Sequence, residues 1–303
     1  MAKRFKWNFK GRIDMPAKKT NSKLKFFGAD LKPIKREEAE VLMLGLPLQG
    51  TVNSRPGAIK GPQAIRQASH FIETYSPFFE KFAGDVKFYD DGDIIVKGKG
   101  KAGLEALALQ IAKRLPQGVR PMFFGGDHSV SYAPIKVLSE RGEKFSVVHL
   151  DAHCDSQDAF EGESWCYATV MRRSRQYVSG EIYQLGIRTG TPDELAYATE
   201  TNKMFLSDRF VEGLNFIAQR EKGKNVYVSF DIDAMDPSLA PGTSNPVSGG
   251  LLPDQIRLLF ETLRVCNVIG FDIVEVAPNL DPTGLTPIVA AELVRDAMLA
   301  WWA

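Results

Sequence analysis

Seven short apolar runs follow one another after residue 40, and their spacing limits the chain to few folds. They are VLMLGLP (41–47), VKFYD (86–90), RPMFFGG (120–126), FSVVHLD (145–151), IYQLGIR (182–188), NVYVSFDID (225–233) and VIGFDIVEV (268–276). Each is close to continuously apolar, without the polar alternation of a sheet with one wet face. Strands of that kind belong in a parallel sheet covered on both sides. Amphipathic segments separate them. KAGLEALALQIAKRL gathers Leu104, Leu107, Ala108, Ile111 and Leu115 on one helical face, and PDQIRLLFETLRV does so with Ile256, Leu259, Phe260 and Leu263 after a Pro-Asp start. TPIVAAELVRDAMLAWW closes the chain as a third helix. Strand–helix alternation along the whole length predicts an α/β domain with a mostly parallel central sheet.

The 303 residues are 44% hydrophobic and 25% charged, the balance of a globular protein that buries a sizeable core without staples. No apolar run approaches the roughly 18 residues of a membrane-crossing helix. The opening MAKRFKWNFKGRIDM lacks the apolar centre of a secretory signal, and Cys154, Cys166 and Cys266 follow no zinc or disulfide spacing. A reduced, cytoplasmic protein is expected. The net charge of +1 hides an asymmetry. Residues 1–36 carry twelve Lys or Arg against Asp14 and Asp30, which leaves 26 basic and 35 acidic residues in the remainder. The chain thus reads as a basic N-terminal arm (1–36) and one α/β domain (37–303). An acidic body suits cations rather than nucleic acid.

In parallel sheets, ligands bind beyond the carboxyl ends of the strands. Three of the runs end in metal-ligand residue types. FFGGDHS ends in Asp127 and His128, VVHLDAHCD in Asp151, His153 and Asp155, and VSFDIDAMD in Asp231, Asp233 and Asp236. Alternation at a strand end puts residues i, i+2 and i+4 on one side, which groups Asp151, His153 and Asp155, and separately Asp231 with Asp233. Only four histidines occur in the chain, and two of them fall within five residues in VVHLDAHCD. Alone, GGDH is usually a loop and D-x-D is common. Together at three strand ends they are harder to dismiss, because packed carboxylates repel and push their pKa values up unless cations offset them.

The donor set is rich in oxygen, with imidazole and no thiolate. It fits Mn²⁺ best, with Ni²⁺, Co²⁺ or Fe²⁺ as alternatives. His128, Asp151, His153, Asp155, Asp231 and Asp233 are too many ligands for one ion that keeps an open position. Two ions ~3.5–4 Å apart would use them all. Such a cluster favours a small cationic substrate.

GFDIVEVAP adds Asp272 and Glu275 in an otherwise apolar run. Asp272 reads either as a partner for loop backbone or as a cleft carboxylate. Glu275 reads as a carboxylate that binds a planar cation by two parallel hydrogen bonds. GKGKAG (98–103) matches G-x-G-x-x-G, yet it is lysine-rich and follows only a weak strand, so dinucleotide binding is not expected.

On these residues the chain resembles the ureohydrolase family, which includes arginase, agmatinase, guanidinobutyrase and formiminoglutamase. GGDHS, DAHCD and SFDIDAMDPSLAPGTSNP look like its three metal-binding signatures, and SRPGAIKGPQAIR (54–66) and DIVEVAP extend the likeness from about Leu44 to the C-terminal helix. The agmatinase branch is the nearest in pattern. The resemblance implies a three-layer α/β/α fold and a binuclear Mn²⁺ centre. His128, Asp151, Asp155 and Asp231 would hold one ion, and Asp151, His153, Asp231 and Asp233 the other, so that Asp151 and Asp231 bridge. It implies hydrolysis of a guanidino or formimino group, with Asp155 holding the attacking water and taking its proton and Glu275 holding the guanidinium. It also implies a homo-oligomer, trimer or hexamer.

Three departures from the family pattern lie on the substrate side. Tyr167, in SWCYATVMRR, stands where the agmatinase pattern has a histidine, and an ordinary tyrosine pKa of ~10 makes a weaker proton shuttle at neutral pH. Val247 stands in place of a glutamate, and Gln49 in place of an aspartate. Trp165, Cys166 and Tyr167 form a bulky loop, so Trp165 and Tyr167 are expected beside Glu275 at the substrate. The expected activity is hydrolysis of agmatine to putrescine and urea. The alternatives are the same chemistry on guanidinobutyrate, aminopropylagmatine, guanidine or formiminoglutamate, or a weakly active metal-binding partner subunit. Neither a nucleic-acid nor a membrane partner is expected.

Overall fold

In the computed structural model, which describes residues 24–28, 31–50 and 55–303, the middle layer of an α/β/α sandwich is a sheet of eight strands. The strands, in chain order, are β1 (Val41–Leu46), β2 (Tyr75–Ser76), β3 (Lys81–Phe82), β4 (Phe88–Asp93), β5 (Arg120–Gly125), β6 (Ser146–Leu150), β7 (Ile182–Ile187), β8 (Lys203–Leu206), β9 (Asn225–Asp231) and β10 (Asn267–Val274). The short β2 and β3 form a separate hairpin, and the other eight lie in the order β4-β1-β5-β10-β9-β6-β7-β8. Every pairing in this sheet is parallel. All seven apolar runs are strands, with ends shifted by up to three residues. β8 had no such signal. Its sequence KMFL is a half-exposed edge, where no continuous apolar run is needed.

The helices are α1 (Gly61–Ala68), α2 (Gly100–Arg114), α3 (Tyr132–Glu140), α4 (Val170–Ser174), α5 (Pro192–Thr201), α6 (Phe210–Arg220), α7 (Pro253–Thr262) and α8 (Leu285–Trp302). α2, α7 and α8 are the three that the periodicity predicts. GKGKAG is the entry to α2. Gly98 and Gly100 take φ of +103° and +54°, a turn that glycine makes without a Cβ penalty.

Alternation along the strands builds two cores, one per face. Met43, Phe124, Val148, Leu150, Phe230 and Ile273 pack with Ile65 of α1 and Met298 of α8. Leu44, Leu46, Phe123, Val147, Tyr227 and Val274 pack with Leu104 and Leu107 of α2 and Ile135 of α3. α8 is buried around most of its circumference, which is why its sequence reads as apolar on all sides.

The strand order matters for function. β9 and β10, late in the chain, insert between β5 and β6. The four strands with polar ends are therefore neighbours at the centre of the sheet, and all finish at the same edge.

Most of the basic arm lies outside the described residues. Within it, Phe26 and Phe27 are buried, and the Phe26 ring sits 5.6 Å from that of Phe124. The Phe26 N–H donates to Asp90 Oδ2 at 2.8 Å. Asp90 also takes both arms of the buried Arg66, Nε to Oδ2 at 2.7 Å and Nη2 to Oδ1 at 2.9 Å, which ties α1 to β4. Asp90→Ala leaves that guanidinium buried and half-paired, and should destabilise the protein by about 3–5 kcal/mol in denaturant titration. Asp93→Ala should cost less, because the Asp93 side chain is 34% exposed and Arg66 keeps Asp90. Equal losses would contradict this ranking.

Candidate active site

Each of the four central strands delivers its ligand-type residues by a local device. After β5, Asp127 accepts the Ser129 N–H at 3.2 Å and the Gly50 N–H, which caps the turn and sends His128 inward. The preceding Gly126 is required by space, since a Cβ there would meet the Leu48 carbonyl. After β6, Asp151 Oδ1 accepts the His153 N–H at 2.6 Å. At the end of β9, Asp231 Oδ1 accepts the Asp233 N–H at 2.8 Å. An aspartate bonded to the N–H two residues on is a turn motif. It brings Asp151 with His153, and Asp231 with Asp233, to the cluster, although β6 itself ends at Leu150.

The six expected residues converge. His128 Nδ1 lies 3.0 Å from Asp151 Oδ2, 3.0 Å from Asp155 Oδ2 and 3.2 Å from Asp231 Oδ2. His153 Nδ1 lies 3.0 Å from Asp233 Oδ2 and 3.3 Å from Asp151 Oδ1. Asp151 thus gives one oxygen to each histidine, and the side chains form two adjacent groups able to hold a metal ion. Asp236 stays apart. The Ser238 side chain, with the N–H groups of Ser238, Gly250 and Gly249 that Asp236 accepts, holds the Asp236 pKa down at about 2, and these bonds order the following loop.

Asp155 and Glu275 have φ of +49° and +63°, the left-handed region that side chains with a Cβ avoid. Such residues cost of order 1–3 kcal/mol each and gather at functional sites. Neighbouring backbone holds both in place. The Met171 N–H donates to the Asp155 carbonyl at 2.9 Å, and the Glu275 N–H donates to the Gly126 carbonyl at 2.8 Å.

Behind His128 lies a buried relay. His128 Nε2 donates to Ser229 Oγ at 3.0 Å, and the Ser229 hydroxyl donates to Asp272 Oδ1 at 2.8 Å. Tyr227 donates its hydroxyl to Asp272 Oδ2 at 2.6 Å. Asp272 therefore serves neither loop backbone nor the cleft. It orients a serine that orients a histidine. The relay leaves His128 Nδ1 facing three carboxylate oxygens with no hydrogen bond of sound geometry among the described residues. A buried nitrogen aimed at three carboxylates needs a proton or a cation between them. The donor set of imidazole and carboxylate fits a divalent ion.

Electrostatics agree. Burial raises Asp231 and Glu275 well above the usual carboxylate range, and raises Asp233. Burial, with the charge of Asp151 nearby, pushes Asp155 up to about 7. Asp151 resists the same burial, because the imidazoles of His128, His149 and His153 beside it hold its pKa well down. Burial would lower His128 and His153, but their carboxylate neighbours outweigh it. His128 rises well above its ordinary value, and His153 to about 12. A cluster without cations stores protons instead.

On the substrate side, Glu275 is 4% exposed. Its Oε1 accepts the His128 N–H at 2.9 Å, and its Oε2 is buried without a hydrogen-bond partner among the described residues. One oxygen, not two, is wholly unengaged. Burial raises the Tyr167 pKa to about 12, with the nearby Asn245 side chain opposing the rise and the charges of Asp155 and Glu275 adding to it. The Trp165 ring packs edge-on against Tyr132 at 5.2 Å, with Lys101 Nζ 5.0 Å from its centre. Cys166 is buried and its thiol donates to the Glu163 carbonyl at 3.6 Å, so it packs behind the loop. Gln49 and Val247 are half-buried.

Arg188, a candidate reader of a substrate carboxylate by residue type, is occupied. It donates to the carbonyls of Asp233 at 2.6 Å, Val247 at 2.8 Å and Gly186 at 3.1 Å, and clamps the Asp231–Asp233 turn to the 244–250 loop.

Residues 39–300 match the arginase family. An agmatinase of Bacillus anthracis is 34% identical over 271 residues, which span 88% of this chain and 93% of that protein. The structure of proclavaminate amidinohydrolase from Streptomyces clavuligerus is 32% identical and superposes with a TM-score of 0.79, over 89% of this chain and 95% of its own. The agmatine ureohydrolase of Thermoplasma volcanium is 27% identical with a TM-score of 0.76, over 87% and 90%.

Protons and cations compete for the cluster. A divalent ion must displace protons from His128 and His153 and from the raised carboxylates, Asp155 at about 7 among them. Apparent Mn²⁺ affinity should therefore fall as pH drops through 7, with protons released on binding. Calorimetry in buffers of different ionisation enthalpy counts them. An affinity that stays constant between about pH 6 and about pH 8 would contradict the proton inventory.

Proposed function

The chain belongs to the arginase family, and on that premise we propose that it is a binuclear, Mn²⁺-dependent amidinohydrolase that cleaves agmatine to putrescine and urea. One observation carries the reading: Glu275 Oε2, buried and without a hydrogen-bond partner among the described residues, beside a cluster of histidines and aspartates. A guanidinium is a planar cation with several N–H donors. It would pair that oxygen and offset a charge that burial otherwise disfavours.

In this reading His128, Asp151, Asp155 and Asp231 would hold one ion, and Asp151, His153, Asp231 and Asp233 would hold the other. Two such ions supply a lowered water pKa and a positive field over the oxygen that becomes negative. The residues of the chain do the rest. Glu275 fixes the guanidinium with its carbon towards the cluster. Asp155, held rigidly by its left-handed backbone, accepts the proton of the water that attacks that carbon. The new C–O bond forms, Asp155 returns the proton to the tail nitrogen, and only then does the C–N bond to the tail break. The amine takes the remaining hydroxyl proton as it departs, and the products are urea and a protonated amine. Tyr167, with its pKa raised to about 12, stays protonated at neutral pH and acts by hydrogen bonding rather than as a base. In the same reading Trp165, whose ring packs on Tyr132, would support the loop that carries Tyr167. Assembly as a homo-oligomer belongs to the same reading.

A second tail is favoured by one set of residues. Tyr167 and Val247 both depart from the agmatinase pattern, and a protein named proclavaminate amidinohydrolase is 32% identical over 86% of this chain. Guanidino compounds with other tails therefore belong in the same assay.

The test is urea release by Mn²⁺-loaded protein from agmatine, guanidinobutyrate, arginine and guanidine, with formamide assayed from formiminoglutamate. Agmatine should give the highest kcat/KM. Faster turnover of another substrate would replace agmatine and keep the chemistry. No turnover of any, with two ions bound, would contradict the reading. Asp151→Ala should lose both ions and activity together, and an active Asp151→Ala protein would overturn its shared role. Tyr167→Phe removes one hydrogen bond and should cost about 1 kcal/mol, roughly fivefold in kcat/KM. Unchanged kinetics would mean that the hydroxyl is idle.

A further inference from the structure

The cluster contains a third histidine. His149 is fully buried in β6, and its ring nitrogen falls in the same group of potential ligand atoms as His128, Asp151 and Asp155. Its ring lies 4.9 Å from that of His128. By residue type and distance it could be counted as a metal ligand.

The protons around it say otherwise. Gln184 Nε2 lies 2.6 Å from the Cys154 carbonyl oxygen, which can only accept, so this atom is the amide NH₂. Asn202 Nδ2 donates to Gln184 Oε1 at 3.0 Å, which agrees with that assignment. The second amide proton of Gln184 points to His149 Nδ1 at 3.1 Å. Nδ1 must then be the bare nitrogen of a neutral imidazole, and the ring proton sits on Nε2. That N–H faces Asp151 Oδ2 at 2.9 Å.

We propose that His149 is a positioning residue and not a metal ligand: a tautomer-locked donor that holds Asp151 in its shared orientation, with the Gln184–Asn202 pair as the lock. The inference rests on the binuclear reading. Asp151 Oδ2 faces His128 while Oδ1 faces His153, so a rotation of this carboxylate would take an oxygen from one group or the other. The backbone N–H of His153 fixes Oδ1, and His149 fixes Oδ2. The sheet supplies the alignment. His149 is in register with Gln184 on β7 and with Ser229 on β9, and Ser229 with Asp272 on β10. One polar row crosses four strands just beneath the cluster. Its Asp272–Ser229 half orients His128 and its Gln184–His149 half orients Asp151.

The test uses the full-length chain and Mn²⁺ affinity measured by chelator competition. His149→Gln keeps an N–H near the position of Nε2, and His149→Phe keeps a ring without the donor. His149→Phe should bind Mn²⁺ roughly 10–100-fold more weakly than wild type, the usual effect of losing an outer partner of a ligand, while His149→Gln stays near wild type. Wild-type affinity in a folded His149→Phe protein overturns the positioning role alone. Absence of Mn²⁺ binding by wild type overturns the binuclear reading and this role with it. If His149→Phe does not fold, nitrogen NMR of histidine-labelled wild type decides. His149 Nε2 should remain protonated without metal and with Zn²⁺ added. Loss of that proton on adding Zn²⁺ would make His149 a ligand and overturn the proposal.

Discussion

Repulsion among buried carboxylates governs this structure. Asp151, Asp155, Asp231 and Asp233 meet at one edge of the sheet with Asp127 and Glu275 close by, and all are buried. Negative charges packed that closely cannot all stay ionised in a medium that screens poorly. Histidine protons offset some of the charge, and divalent ions would offset it more completely. In the proposed reading the same imbalance would select a cationic substrate. The oxygen of Glu275 that lacks a partner sits where a cationic head group would complete the charge.

The fold exists to bring those charges together without losing the core. Parallel strands end on one edge, so polar residues placed after apolar runs collect there while the runs themselves fill two apolar layers. The insertion of β9 and β10 between β5 and β6 turns separate strand ends into one constellation. Strain is accepted only at Asp155 and Glu275 within the site, where the backbone bonds of Met171 and Gly126 hold it. Arg188 and Asp236 order the loops around the cluster by saturating backbone carbonyls and N–H groups.

Much of this was legible in the sequence. Continuous apolar runs marked seven of the eight strands of the sheet, and residue types at their ends marked the ligand candidates. The edge strand β8 was not legible, because a short half-exposed strand carries no apolar run. The spacing of Asp151, His153 and Asp155 suggested strand alternation, whereas an aspartate turn does the grouping. The supporting layer was missed. Ser229 and His149 each stand two residues before an aspartate of the cluster, inside largely apolar strands, and Gln184 interrupts the apolar interior of β7. A single polar residue inside a buried run is the signal that could have found them, but only cross-strand register shows that they form one row. Arg188 could not be placed from the sequence, because the backbone carbonyls it serves are invisible without coordinates.

The most direct test of the central claim is a crystal structure of the Mn²⁺-soaked protein with anomalous scattering recorded at the manganese edge. Two peaks ~3.5–4 Å apart, one at His128 Nδ1 and one at His153 Nδ1 with Asp151 shared between them, are the predicted result. No peak at the carboxylate cluster, or one ion bound elsewhere, would contradict the account that the buried charges are there to hold cations.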